Sequence, residues 1–353
     1  MEFLRLERPT TNLPAQHDLA DVRWARFVES SPAATIFHHP AWTAVLTGTY
    51  GYRPVVLALG DAHGEIRAGA VFLDVRSRLT GRRLVSLPFT DHSPVLARDD
   101  DALREFAAAL VDWRARAGVP RLEVHAELPD LPGVHRVPEG VRHLLPLDRP
   151  PEELYRSLKG KQVERGIRKA ERSGVTVTLE RSEPAVDTFY RLHCLTRRRQ
   201  GVPVQPRRFF RELFSRLVAE GHGFVAIARH EGAAIAAAVF LGWNGHLVYK
   251  YGASDARSWS LRPNNLLFWK VIEQACADGY RLLDFGKTEL DNEGLRDFKR
   301  HWGAEEVDLG YATLADRSPS PDAGPGGIAA RVLSASPVFV TRAAGELLYR
   351  HFA

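Results

Sequence analysis

Apolar and polar positions alternate with a period of two along 54–60 (PVVLALG), 66–76 (IRAGAVFLDVR) and 82–87 (RRLVSL), the pattern of half-buried strands. A helix is expected over 99–117, where the acidic start DDDALREF suits the positive end of a helix dipole and Gly118 suits the stop. A strand, RLEVHA, follows at 121–126. The same order returns later: strands at 222–230, 233–242 and 245–252, a helix at 263–278 opened by Pro263 and closed by Gly279, and a strand at 281–286. The letters echo as well, since Gly118-Val-Pro-Arg121-Leu122-Glu-Val124 parallels Gly279-Tyr-Arg281-Leu282-Leu-Asp284-Phe285. Three strands, a helix and a strand, occurring twice, point to duplication of one unit and to an α/β fold with mixed (α+β) sheets.

Between the copies the spacing predicts helices at 151–158 and 161–173, a strand at 175–180, and helices at 184–199 and 206–220. The chain therefore divides into an N-terminal domain, 1–150, and a C-terminal domain, 151–315, that includes the basic helical region 151–220. The Pro/Gly/Ser-rich run 316–327 reads as a linker. In the tail, 328–353, the spacing of Val338, Phe339, Ala343, Leu347 and Leu348 among Arg342, Glu346 and Arg350 predicts an amphipathic helix. Such a helix docks on its own protein or, as the alternative, lies peripherally on the inner face of a membrane.

Composition narrows the function. At 353 residues and 44% hydrophobic the chain fills two ordinary cores. The two cysteines, Cys194 and Cys276, lack metal or redox spacing and suit a reducing cytoplasm. No run approaches the ~18 apolar residues of a membrane span, and no secretory leader pattern opens the sequence. Of the net +5, the segment 151–220 carries an excess of seven, with 16 Lys or Arg against 9 Asp or Glu. A phosphate-bearing ligand or polyanion is expected there. Lys161, Arg165, Arg168, Lys169 and Arg172 recur at helical spacing and line one face.

Chemistry-bearing residues gather where strands end. The strand at 281–286 leaves into Gly286-Lys287-Thr288-Glu289, a place where ligands collect in α/β sheets. Lys287 and Lys299 are two of only seven lysines. Phe298 and Trp302, four apart, read as a core-facing stripe. Asp91 follows the third strand of the first unit and is a candidate acceptor-site residue, with an Asx-turn as the structural alternative. There is no HExxH, Walker A or GxSxG motif, no metal site is expected, and His38-His39 reads as packing.

The runs Lys161–Val177, Tyr249-Lys250-Tyr-Gly-Ala-Ser254, Arg262-Pro-Asn-Asn-Leu-Leu-Phe-Trp269, Asp284-Phe-Gly-Lys287-Thr and Phe298-Lys299-Arg-His-Trp302-Gly resemble the FemAB-like branch of the GNAT acyltransferase superfamily. The resemblance is close over 150–315 and looser over 35–147. It implies tandem GNAT-like domains with a basic helical connection. It also implies transfer of an amino acid from aminoacyl-tRNA to an amine of a cell-wall precursor or related small molecule. Phe298-Lys299 stands where the family's Phe-Lys pair serves the acyl ester.

A departure bears on the donor: acetyl-CoA enzymes hold pyrophosphate on a glycine-bearing turn, whereas Asp255–Asn265 has no glycine and Pro263 lacks an N–H. Acyl-CoA stays open as the alternative donor, because Arg257 and Arg262 can meet phosphates through side chains. A non-catalytic GNAT-like binding module is the third reading. Direct transfer is expected, without a resident cofactor, with Lys299 half exposed and facing the oxyanion, and with Asp91 or Glu289 as base. The substrate-binding candidates are Lys161, Arg165, Arg168, Tyr249, Lys250, Arg262, Lys287 and Glu289.

Overall fold

Period-two segments become strands wherever expected. The computed structural model describes residues 13–78, 80–158, 161–317 and 338–351, so Lys159 and most of the expected linker lie outside the described residues. The chain opens with β1 (Ala15–His17), α1 (Val22–Ser30) and α2 (Pro40–Tyr50). The first unit follows as β2 (Arg53–Gly60), β3 (Ile66–Ser77), β4 (Gly81–Val85), the short β5 (Leu96–Ala97), α3 (Asp100–Arg116) and β6 (Leu122–Val124). Asp99 caps α3 by accepting the Ala102 N–H at 2.7 Å.

After β7 (Val134–Pro146), which the periodicity does not announce, come α4 (Pro151–Arg156), α5 (Lys161–Arg172), β8 (Thr176–Glu180), α6 (Glu183–Gln200) and α7 (Arg207–Leu213). A π-helical turn extends α7 to Val218. The second unit is β9 (Gly223–His230), β10 (Ala233–Trp243), β11 (His246–Ser254), α8 (Pro263–Ala277) and β12 (Leu282–Thr288), followed by α9 (Glu293–His301), β13 (Glu305–Leu314) and α10 (Val338–Leu348). Expected elements before the tail end within about two residues of their sequence-derived limits, while of the tail helix expected over 328–353 the described residues show Val338–Leu348 and a short turn to His351.

The strands form one 13-stranded sheet in the order β1-β2-β3-β4-β6-β13-β7-β12-β11-β10-β9-β8, with β5 beside β3. Duplication shows in its two parallel contacts, β4 with β6 and β11 with β12. Each is brief: Leu84 and Val85 face Leu122 and Glu123, and His246 to Val248 face Leu282 to Asp284, after which the strands part. At the centre the units interlock. β13 pairs with β6 on one side and with β7 on the other, and β7 pairs onward with β12.

One face of the sheet carries a core shared by both units, from Trp24, Trp42 and Val56 to Phe189, Phe209 and Val239. On the other face α3 covers the first unit, and α5 and α8 cover the second, around Phe240, Phe268 and Trp302. The tail helix docks on its own chain: the Arg197 guanidinium donates to the Tyr349 hydroxyl at 2.6 Å, and Tyr52 donates to the Arg350 carbonyl at 3.0 Å. Among the described residues no helix is long and apolar enough to cross a membrane.

Trp302 is 1% exposed and packs 5.8 Å from the Phe268 ring, as the helical stripe predicts. Trp302→Ala should cost about 3 to 5 kcal/mol of unfolding free energy by urea titration. A loss below 1 kcal/mol would contradict its core role.

Candidate functional site

A β-bulge and a splay shape the site. Val239 faces Tyr251 and Phe240 faces Tyr249, so Lys250 has no partner across β10. The extra residue turns the pleat, and Tyr249 and Tyr251 pack on opposite faces of the sheet. Tyr249 lies against Phe268, with ring centroids 4.9 Å apart, and burial pushes its hydroxyl up to about 12. Tyr251 joins Phe209 and Phe210 in the shared core.

Lys250 reaches the first unit. Its ammonium donates to the Phe89 carbonyl at 2.7 Å, stands 3.4 Å from Asp91 Oδ1, and lies over Phe37 and Tyr251, each 5.3 Å from the ring centroid. The segment carrying Asp91 is strained, for Leu87 and Phe89 both hold positive φ, 58° and 59°. Asp91 Oδ2 accepts the Lys287 N–H at 3.4 Å, and the Asp91 side chain is 27% exposed. Burial pushes its carboxyl upward, but Lys250 and the Lys287 N–H outweigh that and hold it below its ordinary value, so it is ionised at neutral pH.

The end of β12 surrounds this carboxylate. Gly286 has φ 72°, and a Cβ there would sit 2.8 Å from Asp91 Oδ2, so only glycine admits the approach. Asp284 accepts the Gly286 N–H at 2.8 Å and pairs with Arg142 at 2.6 Å. Lys287 pairs with Glu139 at 2.6 Å, and the Tyr311 hydroxyl donates to the Asp91 carbonyl at 2.9 Å. Carboxylate and cations thus meet at one junction, drawn from both units.

Lys299 is not half exposed but 2% exposed, which corrects the sequence expectation. Its three protons are all donated within the chain, to the Gly286 carbonyl at 2.8 Å, the Thr288 hydroxyl at 2.7 Å and the Lys287 carbonyl at 3.2 Å. An oxyanion contact requires giving one of these up. Burial lowers its pKa to about 8 against the pull of Asp284, Asp91 and Glu289. Glu289 itself is exposed beyond β12.

On the other side of α9 a cleft of about 730 Å³ lies between α5, the start of α8 and α9. Arg165, Lys169, Arg262, Asn265, Phe298 and His301 line it, with Asp297 as the one carboxylate. Arg165, Lys169 and Arg262 make no ion pair among the described residues. Arg262 caps α8 from the left-handed region at φ 56°, so the turn there is not a glycine cradle.

The expected single basic face divides. Arg165 and Lys169 turn to the cleft, Lys161 is exposed outside the cleft lining, and Arg168 pairs with Glu164 at 2.5 Å. Of the sequence candidates, Asp91, Lys250, Lys287 and Lys299 converge at the junction, while Arg165, Arg262 and Phe298 share the cleft. Tyr249 belongs to the aromatic wall between core and α9. Sequence reading missed Arg142, Glu139 and Tyr311, which sit on β7 and β13. Their signal, charged residues within weakly alternating segments, is faint. No group of three or more His, Cys, Asp or Glu among the described residues is placed to hold a metal.

Because the unfolded lysine titrates near 10.5 and the folded one near 8, only the unfolded chain holds this proton between those values, and Lys299's penalty on folding is lifted as pH rises through that window. The stability difference between the parent and Lys299→Met should therefore move in the parent's favour from pH 8 to 10.5. A difference flat in pH would mean an ordinary amine. Lys299→Ala, which leaves the Thr288 hydroxyl and two carbonyls without their donor, should destabilise the fold rather than spare it.

Residues 157–300 match the model of the acetyltransferase (GNAT) domain family. No curated protein matches the chain in sequence. Among solved structures, FemX is 16% identical, with a TM-score of 0.67 over 84% of this chain and 96% of that one. The C-terminal domain of a putative lysylphosphatidylglycerol synthetase from Agrobacterium fabrum is 15% identical, with a TM-score of 0.55 over 88% and 93% of the two chains. L-PGS from Bacillus licheniformis is 14% identical, with a TM-score of 0.55 over 92% and 98%. At these identities the likeness is one of fold. Over residues 157–300 the chain is similar to the acetyltransferase (GNAT) domain family, and as a whole it shares the fold of FemX.

Proposed function

We propose that the chain is an acyltransferase that moves an aminoacyl group from aminoacyl-tRNA in the basic cleft to an amine acceptor beside Asp91. The observation that carries this is the trio of unpaired cations, Arg165, Lys169 and Arg262, around a cleft whose wall includes Phe298. Three cations without carboxylate partners repel one another until an anion arrives. The cations of α5 continue outside the cleft at Lys161 and Arg172, which favours a donor with more phosphates than a cofactor carries. The FemX-like fold supports the same donor, and a cell-wall precursor or related small molecule is the acceptor class.

In the proposed reaction an acceptor ammonium pairs with ionised Asp91 and gives it a proton. The neutral amine then attacks the ester carbonyl, the carbon–oxygen bond to the donor breaks, the leaving oxygen takes the second proton from the attacking nitrogen, and Asp91 releases the first to solvent. Lys250 holds the Asp91 segment in place, and Lys299 fixes the end of β12 against which Asp91 packs. Most of the acceleration comes from positioning. Acyl-CoA is the second reading, since Arg262 at the start of α8 can meet phosphates through its side chain in the same cleft.

Asp91→Asn should lower turnover about 10² to 10⁴-fold with donor affinity retained, as expected for loss of a general base. Undiminished turnover removes Asp91 from the chemistry. Arg165→Glu with Lys169→Glu should weaken donor binding and reduce the salt slope by up to about 0.9 per lost contact, nearer 0.7 on a single strand. Arg168→Glu, already paired and outside the cleft, should change it less. A parent slope well above three phosphates favours tRNA over CoA, whereas transfer from acyl-CoA alone, in a direct comparison of the two donors, decides for the second reading.

A further inference from the structure

A second basic cavity, about 920 Å³, lies on the first unit and shares no lining residue with the cleft. Its wall runs from Tyr50 at the end of α2 to Arg53 at the start of β2 and to Asp74, Arg76 and Arg78 at the end of β3. The tail closes it with Arg350. Asp74 is committed, held by Arg76 at 2.8 Å and by Arg82 at 3.1 Å. Arg53 and Arg78 have no carboxylate or hydrogen-bond partner among the described residues. The Arg350 guanidinium donates to His351 Nε2 at 3.2 Å, a partner that brings no negative charge.

We propose that this cavity binds a phosphate-bearing anion of at least two negative charges, gripped by Arg53, Arg78 and Arg350. Guanidinium groups suit it because their planar forks match phosphate oxygens two at a time. Three guanidiniums around one space, with the neighbouring carboxylate already neutralised, leave charge that the chain itself does not balance. Arg350 comes from the tail segment docked through Tyr349 and the Arg350 carbonyl, so ligand binding and tail docking strengthen each other. The inference does not rest on acyl transfer. Free polyphosphate compounds and phosphomonoester lipid headgroups present the same chemistry.

The test uses the full chain carrying Arg165→Glu and Lys169→Glu, which silences the donor cleft. Calorimetry with inorganic pyrophosphate should find one remaining site. Adding Arg53→Ala and Arg78→Ala, both exposed positions, should weaken it at least tenfold and abolish the rise in melting temperature that pyrophosphate produces. Arg350→Ala alone should weaken it as well. If only phosphatidic acid vesicles bind, and lose the chain when Arg53 and Arg78 are replaced, the source is a headgroup. Binding indifferent to these arginines, or no binding of either probe, overturns the proposal.

Discussion

The pairing of β13 with β7, continuous from Glu305 to Leu314 apart from one register slip, holds the site in being. Because β13 also pairs with β6, and β7 with β12, the two units cannot rotate against each other without breaking the sheet at its centre. Backbone hydrogen bonds across four strands thereby fix the distance between Asp91 of the first unit and Lys250 and Lys287 of the second. A looser contact between domains would leave an ionised carboxylate and an almost fully buried ammonium to find each other against the cost of their own desolvation. Here the sheet sets the geometry, and Gly286 allows it to be close.

The repeated units are legible in sequence because their longer strands are apolar runs between turn residues, buried on both faces rather than the half-buried strands expected, and because the helices begin at Asp99 and Pro263 and end beside Gly118 and Gly279. β7 and β13 are not legible. Pro138 and Gly140 interrupt β7, and Gly140, at φ 139°, is where the backbone of Thr288 comes too close for a side chain. β13 opens with two glutamates, of which Glu306 is tolerated in a strand because Arg296 pairs with it at 2.7 Å. The strands that β7 and β13 pair with lie far off in sequence, so no local pattern announces them, and Arg142, Glu139 and Tyr311 stay hidden with their strands.

Side chains follow the same division. Lys250 stands out in sequence as one of only seven lysines, yet the bulge that aims it appears only in the register with β10. Lys299 sits at a helix end, where solvent is the default, but α9 folds back over β12, whose Gly286 and Lys287 carbonyls and Thr288 hydroxyl accept its protons. Arg168 is the converse case. The i, i+4 spacing from Glu164 is readable from the letters alone, and it outweighs the argument that five cations share a face.

The interlocked strands also govern how the chain is made. On a ribosome β6 emerges and folds with β4, but the strand that covers its other edge is translated roughly 190 residues later. Until then the nascent first half presents an open strand edge beside a hydrophobic core, the kind of surface on which chains join one another. Completion of the fold is a late, long-range event with a high loop-closure cost, and folding is correspondingly slow. Crowded synthesis therefore exposes this protein to mispairing between neighbouring copies, in which β13 of one chain closes the sheet of another.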